Sequence, residues 1–331
     1  MKFLIVRFSS IGDIVLTTPV VRCLKKQAAT AEVHFLTKKS FLPVLAANPY
    51  IDKVHAIDNN LDEMIERLDE EDFDYIIDLH HNLRTLRVKR GLEKQSFSFS
   101  KLNIQKWLLT SFKINRMPDV HIVDRYLDTL KSFRIKNDGL GLDYFIPEQD
   151  HVKEEDIPTS HHAGYIGLVI GAALNTKKYP LHKLKELAAI IDHPIILLGG
   201  KEDREEGDAI AAIDPVKIYN ACGKFNINES ADLVRRSNLI ISNDTGLMHI
   251  ASAFRKPVIS LWGNTVPEFG MYPYYPSGMK QSFDIMEVKG LSCRPCSKIG
   301  YDKCPKKHFK CMELIAAESV YEKVKHRLGR K

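Results

Sequence analysis

The chain has 331 residues, 44% of them hydrophobic and 27% charged, the composition of an ordinary soluble globular protein, and it is longer than one typical core fills, which predicts two domains. Its net charge of +6 hides an asymmetry: nine Lys and Arg stand against Glu93 alone from Arg84 to Arg116, and eleven against four acids from Cys293 to Lys331. No apolar run approaches the roughly 18 residues of a membrane span, and the N-terminal apolar stretch, broken by Arg7 and Asp13, does not read as a secretory signal, so a cytoplasmic protein is expected.

In chain order, short apolar runs alternate with amphipathic segments. "FLIV" (3–6), "EVHFLT" (32–37), "KVHAI" (53–57) and "YIIDL" (75–79) read as a first set of strands. "YIGLVI" (165–170), "PIILLG" (194–199), "KIYNA" (217–221), "LIIS" (239–242) and "PVISLW" (257–262) read as a second. Between them "PVVRCLKKQ", "LDEMIERLDE", "HIVDRYLDTLKSF", "LHKLKELAAII" and "NESADLVRRS" carry helical periodicity. Such alternation predicts α/β architecture, with parallel sheets covered on both faces. The pattern lapses from about 138 to 164, a Gly-, Pro- and acid-rich stretch that predicts an interdomain linker with a short strand at 142–146. Two Rossmann-like halves, 1–150 and 160–331, follow, with ligands expected at the carboxyl ends of their strands.

Neither a G-x-G-x-x-G after the first strand nor a G-x-x-x-x-G-K-[ST] occurs, which disfavours dinucleotide redox enzymes and P-loop ATPases. "SSIGD" stands there instead. Asp13 by itself suits a helix cap first, and a general base at a strand's carboxyl end second, with Gly12 letting a ligand approach the backbone. "LIISNDTGLMHIASAFRKPVISLWG" (239–263) reads as strand, polar turn, helix and strand. Asp244, Thr245 and Gly246 would lie at the helix N-terminus, where free N–H groups and the helix dipole favour a phosphate, and Thr245 and His249 add side-chain donors.

These stretches, with "LNTKKYP" (174–180), "IILLGGKED" (195–203) and "CRPCSKIGYDKCPKKHFKCMELI" (293–315), resemble glycosyltransferase family 9, the ADP-heptose:lipopolysaccharide heptosyltransferases, in an order that covers nearly the whole chain. The resemblance implies a GT-B architecture, two Rossmann-like domains facing across a cleft. It implies acceptor binding in the N-terminal half, an ADP-sugar in the C-terminal half, and inverting transfer without a metal or other cofactor. By position it makes Asp13 the general base and Lys178 the cation on the donor diphosphate. Asp244, Thr245, Gly246 and His249 become phosphate and sugar contacts. "GAALNT" (171–176) departs from members with hydroxyls there, so phosphate contacts in that loop fall to backbone, Asn175 or Thr176. Glu202 is the acid placed to bind the ribose diol.

The basic 84–116 segment interleaves Arg and Lys with Trp107, Leu108, Leu109 and Phe112. It suits a lipid-linked, phosphorylated saccharide acceptor at an anionic surface, on the cytoplasmic face of the inner membrane, or else Trp107 and Phe112 are core residues of a helix. Cys293, Cys296, Cys304 and Cys311 read C-x2-C-x7-C-x6-C, which in a reducing compartment points to zinc rather than disulfides. Two rival readings stand beside the first: a GT-B transferase or epimerase using another nucleotide sugar, and a zinc-dependent nucleic-acid-binding protein. The cysteine segment runs into a terminal helix with no recognisable reading motif, so no nucleic-acid partner is expected.

Overall fold

The computed structural model describes residues 1–279 and 282–329, so Arg330 and Lys331 of the basic C-terminal segment lie outside the described residues. Its first sheet contains β1 (Lys2–Val6), β2 (Glu32–Lys38), β3 (Lys53–Ile57), β4 (Tyr75–Asp78) and β5 (Gln95–Ser98), ordered β3-β2-β1-β4-β5 with every pair parallel. Phe3 to Val6 are fully buried, as a central parallel strand covered on both faces must be. The second sheet contains β6 (Ile166–Val169), β7 (Ile195–Leu198), β8 (Ile218–Asn220), β9 (Leu239–Asn243), β10 (Val258–Trp262) and β11 (Phe283–Glu287). Its order is β11-β10-β9-β6-β7-β8, again all parallel. These are two α/β Rossmann-like domains, as the alternation of apolar runs predicts. β5 and β11 escape a sequence reading because they are short edge strands without a continuous apolar run: "QSFS" is polar and mostly exposed, and "FDIME" breaks its apolar residues with acids.

Helices begin where local chemistry starts them. Asn60, Asn82 and Asn226 accept from the free N–H groups of Leu61–Asp69, Leu83–Leu92 and Ile227–Arg236. At Asn226 the box is reciprocal, since its own N–H donates to Glu229 at 2.6 Å. No helix among the described residues is long and apolar enough to cross a membrane.

The units differ from a division by chain order. The first is Met1–Lys101 with Val120–Pro147, and the second is Leu102–Asp119 with Glu148–Lys331. The segment 102–119 joins the second unit because Leu109 and Met117 pack on Val266 and Phe269, and Lys113 Nζ donates to the Pro295 carbonyl at 2.7 Å. The strand expected at 142–146 does not form: the segment pairs with no strand, although Leu142 and Tyr144 are buried. It is fixed instead by Arg22, 1% exposed, on the helix Thr18–Gln27. The Arg22 guanidinium grips Asp138 with two bonds of 2.8 Å, the Gly141 carbonyl at 2.8 Å, and Asp143.

Removing the cation would strand two partly buried carboxylates. Arg22→Met should lower stability of the first unit by about 3 kcal/mol, the low end for a broken buried pair because both aspartates stay partly exposed. Urea unfolding checks this, and a loss under about 1 kcal/mol would show that Arg22 does not anchor the segment.

Candidate functional site

In each sheet the chain runs outward in one direction and then returns to the other side of its first strand. The reversal falls between β1 and β4 in the first sheet and between β6 and β9 in the second. Loops leaving such a pair diverge, opening a crevice at the strands' carboxyl ends.

At the first reversal, β1 leads through Arg7–Ser10 into the short helix Ile11–Val15. Asp13 is its third residue. Its Oδ2 accepts from the Ser10 N–H at 3.2 Å and the Ser10 hydroxyl at 2.9 Å, while Oδ1 meets Arg7 Nη2 at 2.6 Å. Arg7, 8% exposed, also donates from Nη1 to the Leu79 carbonyl just after β4 at 2.5 Å and to the Tyr126 hydroxyl at 3.1 Å. One guanidinium therefore ties both loops of the reversal and holds the carboxylate. Burial alone would raise the Asp13 carboxyl; the Arg7 charge and the Ser10 and Arg7 hydrogen bonds together outweigh it and hold the group below the ordinary carboxylate range. Asp13 is thus an anion at neutral pH, and it caps its helix through the Ser10 N–H. Beside it His80, edge-on to Phe8 at 5.5 Å, is pushed down to about 4 by burial and the Arg7 charge and stays neutral.

At the second reversal, β6 leads into Ile170–Pro180, and β9 leads through Asp244 and Thr245 into the helix Gly246–Ala253. Lys177 Nζ pairs with Asp244 Oδ2 at 2.6 Å, and the Thr265 hydroxyl donates to the same oxygen at 3.0 Å. Lys178 Nζ pairs with Asp203 Oδ1 at 2.5 Å. Asp203 is 1% exposed, and its other oxygen accepts from the Gly200 N–H at 2.9 Å. A Cβ at Gly171 would stand 2.2 Å from Asp203 Oδ2, so glycine is what lets the loop after β6 pass this carboxylate. Asn243 fixes the centre, accepting from the Tyr179 N–H at 3.1 Å and donating to the Val169 carbonyl at 3.3 Å. Asp244 to Leu247 remain partly exposed, which leaves the helix N-terminus open to an anion.

The structure therefore gathers Asp244, Thr245 and Gly246 with Lys177, and sets Lys178 on Asp203. It treats the remaining candidates differently. Thr176 is buried, and its hydroxyl is consumed by Tyr301, donating to the carbonyl at 2.9 Å and accepting from the N–H at 2.8 Å. Glu202 is exposed, while its neighbour Asp203 occupies the buried position beside Lys178. Gly12 is buried inside its helix, and His249 is 2% exposed. Arg7, Asp203 and Thr265 escape the sequence reading. The available signal for Asp203 was the "KED" run after an apolar strand, which does not say which acid turns inward.

The four C-terminal cysteines are free. Cys293 Sγ lies 3.9 Å from His308 Nε2, and burial with the neighbouring Cys296 pushes the Cys311 thiol up to about 12.

Residues 62–301 match the family model described as Glycosyltransferase family 9 (heptosyltransferase). The chain is 25% identical to Lipopolysaccharide heptosyltransferase 1 of Campylobacter coli over 99% of both chains. A family 9 glycosyltransferase from Veillonella parvula superposes with a TM-score of 0.78 at 22% identity, covering 99% of this chain and 97% of that one. The E. coli ADP-heptose LPS heptosyltransferase II superposes with a TM-score of 0.75 at 18% identity, covering 99% and 98%. A model match over more than two-thirds of the chain, on two sheets of this topology, makes the protein an enzyme of glycosyltransferase family 9, the heptosyltransferase family.

Proposed function

We propose that this enzyme is an inverting lipopolysaccharide heptosyltransferase that moves a heptose from ADP-heptose to a hydroxyl of a lipid-linked, phosphorylated inner-core saccharide. The observation that carries the reading is the equipment of the two reversals. An ionised carboxylate, Asp13, follows β1, and an open helix N-terminus beside two lysines follows β9 and β6. The acceptor class is the one in the name of the Campylobacter coli relative, and the donor is the one in the name of the E. coli structure.

Displacement at an anomeric carbon needs a base on the attacking hydroxyl and stabilisation of the departing diphosphate. Asp13 supplies the base. Its depressed pKa keeps it ionised and makes it a weak base, so it takes the proton late, as the hydroxyl becomes acidic on bonding to the sugar. Lys178, with Lys177 and the N–H groups at Thr245 and Gly246, meets the negative charge that develops on the leaving ADP. Asp203 and Asp244 keep the two ammonium groups aimed until the diphosphate competes for them.

The acceptor and membrane side rests on two separate surfaces. In the first unit Lys89 is committed to the buried Asp78 at 3.0 Å and Arg87 to Asp62 at 2.6 Å, which leaves Arg84 and Arg90 exposed for a phosphorylated saccharide. In the second unit Ile104, Trp107 and Phe112 are exposed among Lys106, Lys113 and Arg116, a composition suited to an anionic bilayer surface at the cytoplasmic face.

Asp13→Asn should fold normally, bind donor as before, and lose roughly 10²–10⁴-fold in turnover. Arg7→Gln removes the charge that opposes burial, so the acid limb of kcat/KM should move to higher pH. An unmoved limb would dissociate Asp13 from the pH profile.

Lys178→Ala should weaken the thermal shift given by ADP and ADP-heptose and slow turnover, with Lys178→Arg rescuing only in part. In the same panel the wild-type protein should respond selectively to ADP and its sugars. A preference for a uridine nucleotide would overturn the donor, and an alanine variant equal to wild type would transfer the phosphate role to Lys177.

Trp107→Ser with Phe112→Ser should reduce cosedimentation with anionic vesicles while leaving turnover on a soluble acceptor unchanged. Equal binding by wild type and double variant would remove this surface from the membrane.

A further inference from the structure

Away from the β1–β4 reversal, the first unit carries a second cluster of titratable side chains that the reaction does not use. In the β2–β3 register Leu36 opposes His55, so His34 and His55 are diagonal neighbours on one face. Both are buried, at 1% and 5% exposure, with the Phe73 ring edge-on to each. His34 Nδ1 lies 3.0 Å from His55 Nε2 and 3.9 Å from Glu71 Oε2. All three atoms lie within 4.8 Å of one another, and among the described residues this is the one set of three His, Cys or acidic ligand atoms that converges so closely. Glu32 Oε1 meets the other ring nitrogen of His34 at 2.8 Å.

We propose that His34, His55 and Glu71 form a structural site for one divalent transition-metal ion of the zinc type, with Glu32 as the outer carboxylate that orients His34. Zinc–nitrogen bonds of about 2.0–2.1 Å in tetrahedral geometry place ligand atoms roughly 3.4 Å apart, and the spacings of 3.0 and 3.9 Å straddle that value. A ligating histidine commonly donates its second N–H to a carboxylate, which fixes the tautomer that turns the other nitrogen's lone pair to the metal. Glu32 stands in that relation to His34. With the His34 proton on Nε2, its Nδ1 presents a lone pair toward the Glu71 oxygen, an arrangement a cation between them would relieve. Lys53 pairs with Glu71 Oε1, and Oε2, which faces His34, also has Lys2 Nζ at 3.5 Å, a cation that the metal would displace from that oxygen. Two nitrogen donors and one oxygen favour zinc and its neighbours over magnesium or calcium.

The test is calorimetric titration of the metal-stripped full chain with zinc, beside Cys293→Ser/Cys296→Ser, His55→Gln, Glu71→Gln and Glu32→Gln variants. The cysteine double variant should retain one zinc equivalent with a matching rise in Tm. His55→Gln and Glu71→Gln made in that background should lose it, and Glu32→Gln should bind roughly 10–100-fold more weakly. Cobalt in place of zinc should give visible ligand-field bands without thiolate charge-transfer absorption. The proposal is overturned if the histidine and glutamate variants bind zinc like the cysteine variant, or if removing the cysteines abolishes all binding. Should His55→Gln fail to fold, Glu71→Gln, altered at a side chain 17% exposed, decides alone.

Discussion

The paired charges proposed to bind donor and activate acceptor depend on the reversal of strand order inside two parallel sheets. A parallel strand can be reached only by a crossover, and crossovers of one hand fill a sheet outward from its first strand. When the chain returns to the other flank, the two loops at the junction must part. Arg7, Asp13 and His80 lie at the junction of β1 and β4. Lys177, Lys178 and Asp244 lie at the junction of β6 and β9, and Asp203 reaches it from the end of β7. The same topology accounts for both groups, although they share no motif.

Charges at these junctions come in pairs, and burial explains why. An isolated ion in such surroundings carries a desolvation cost of several kcal/mol, so each is matched: Arg7 with Asp13, Lys177 with Asp244, Lys178 with Asp203. Such pairs add little net stability. They fix the direction of a charged group, which is what the proposed sites for a diphosphate and a nucleophile require. Arg22 with Asp138 and Asp143 applies the same physics to a structural end, holding the irregular 138–143 segment.

Packing also redistributes the basic character of the 84–116 segment. Lys89 pairs with the buried Asp78 at the end of β4, and the chain from Leu102 to Asp119 joins the second unit through Leu109 and Met117. A charge count along the sequence treats these residues as one surface. The fold divides them between two units with different neighbours.

The sequence by itself determined the nine apolar strands β1–β4 and β6–β10, the helices capped at Asn60 and Asn226, and the turn at Asp244–Gly246, because each is specified by residues close together in the chain. It determined the family too, since "SSIGD" and "NDTGLMH" are local motifs. Only the tertiary structure decided that Arg7 spans from β1 to the end of β4, that Asp203 rather than Glu202 turns inward, and that Tyr301 consumes the Thr176 hydroxyl. Those outcomes rest on contacts between segments from about 70 to 125 residues apart, or on which of two adjacent acids a turn buries. A linear pattern carries neither, because both are decided by what else the fold brings to the same place.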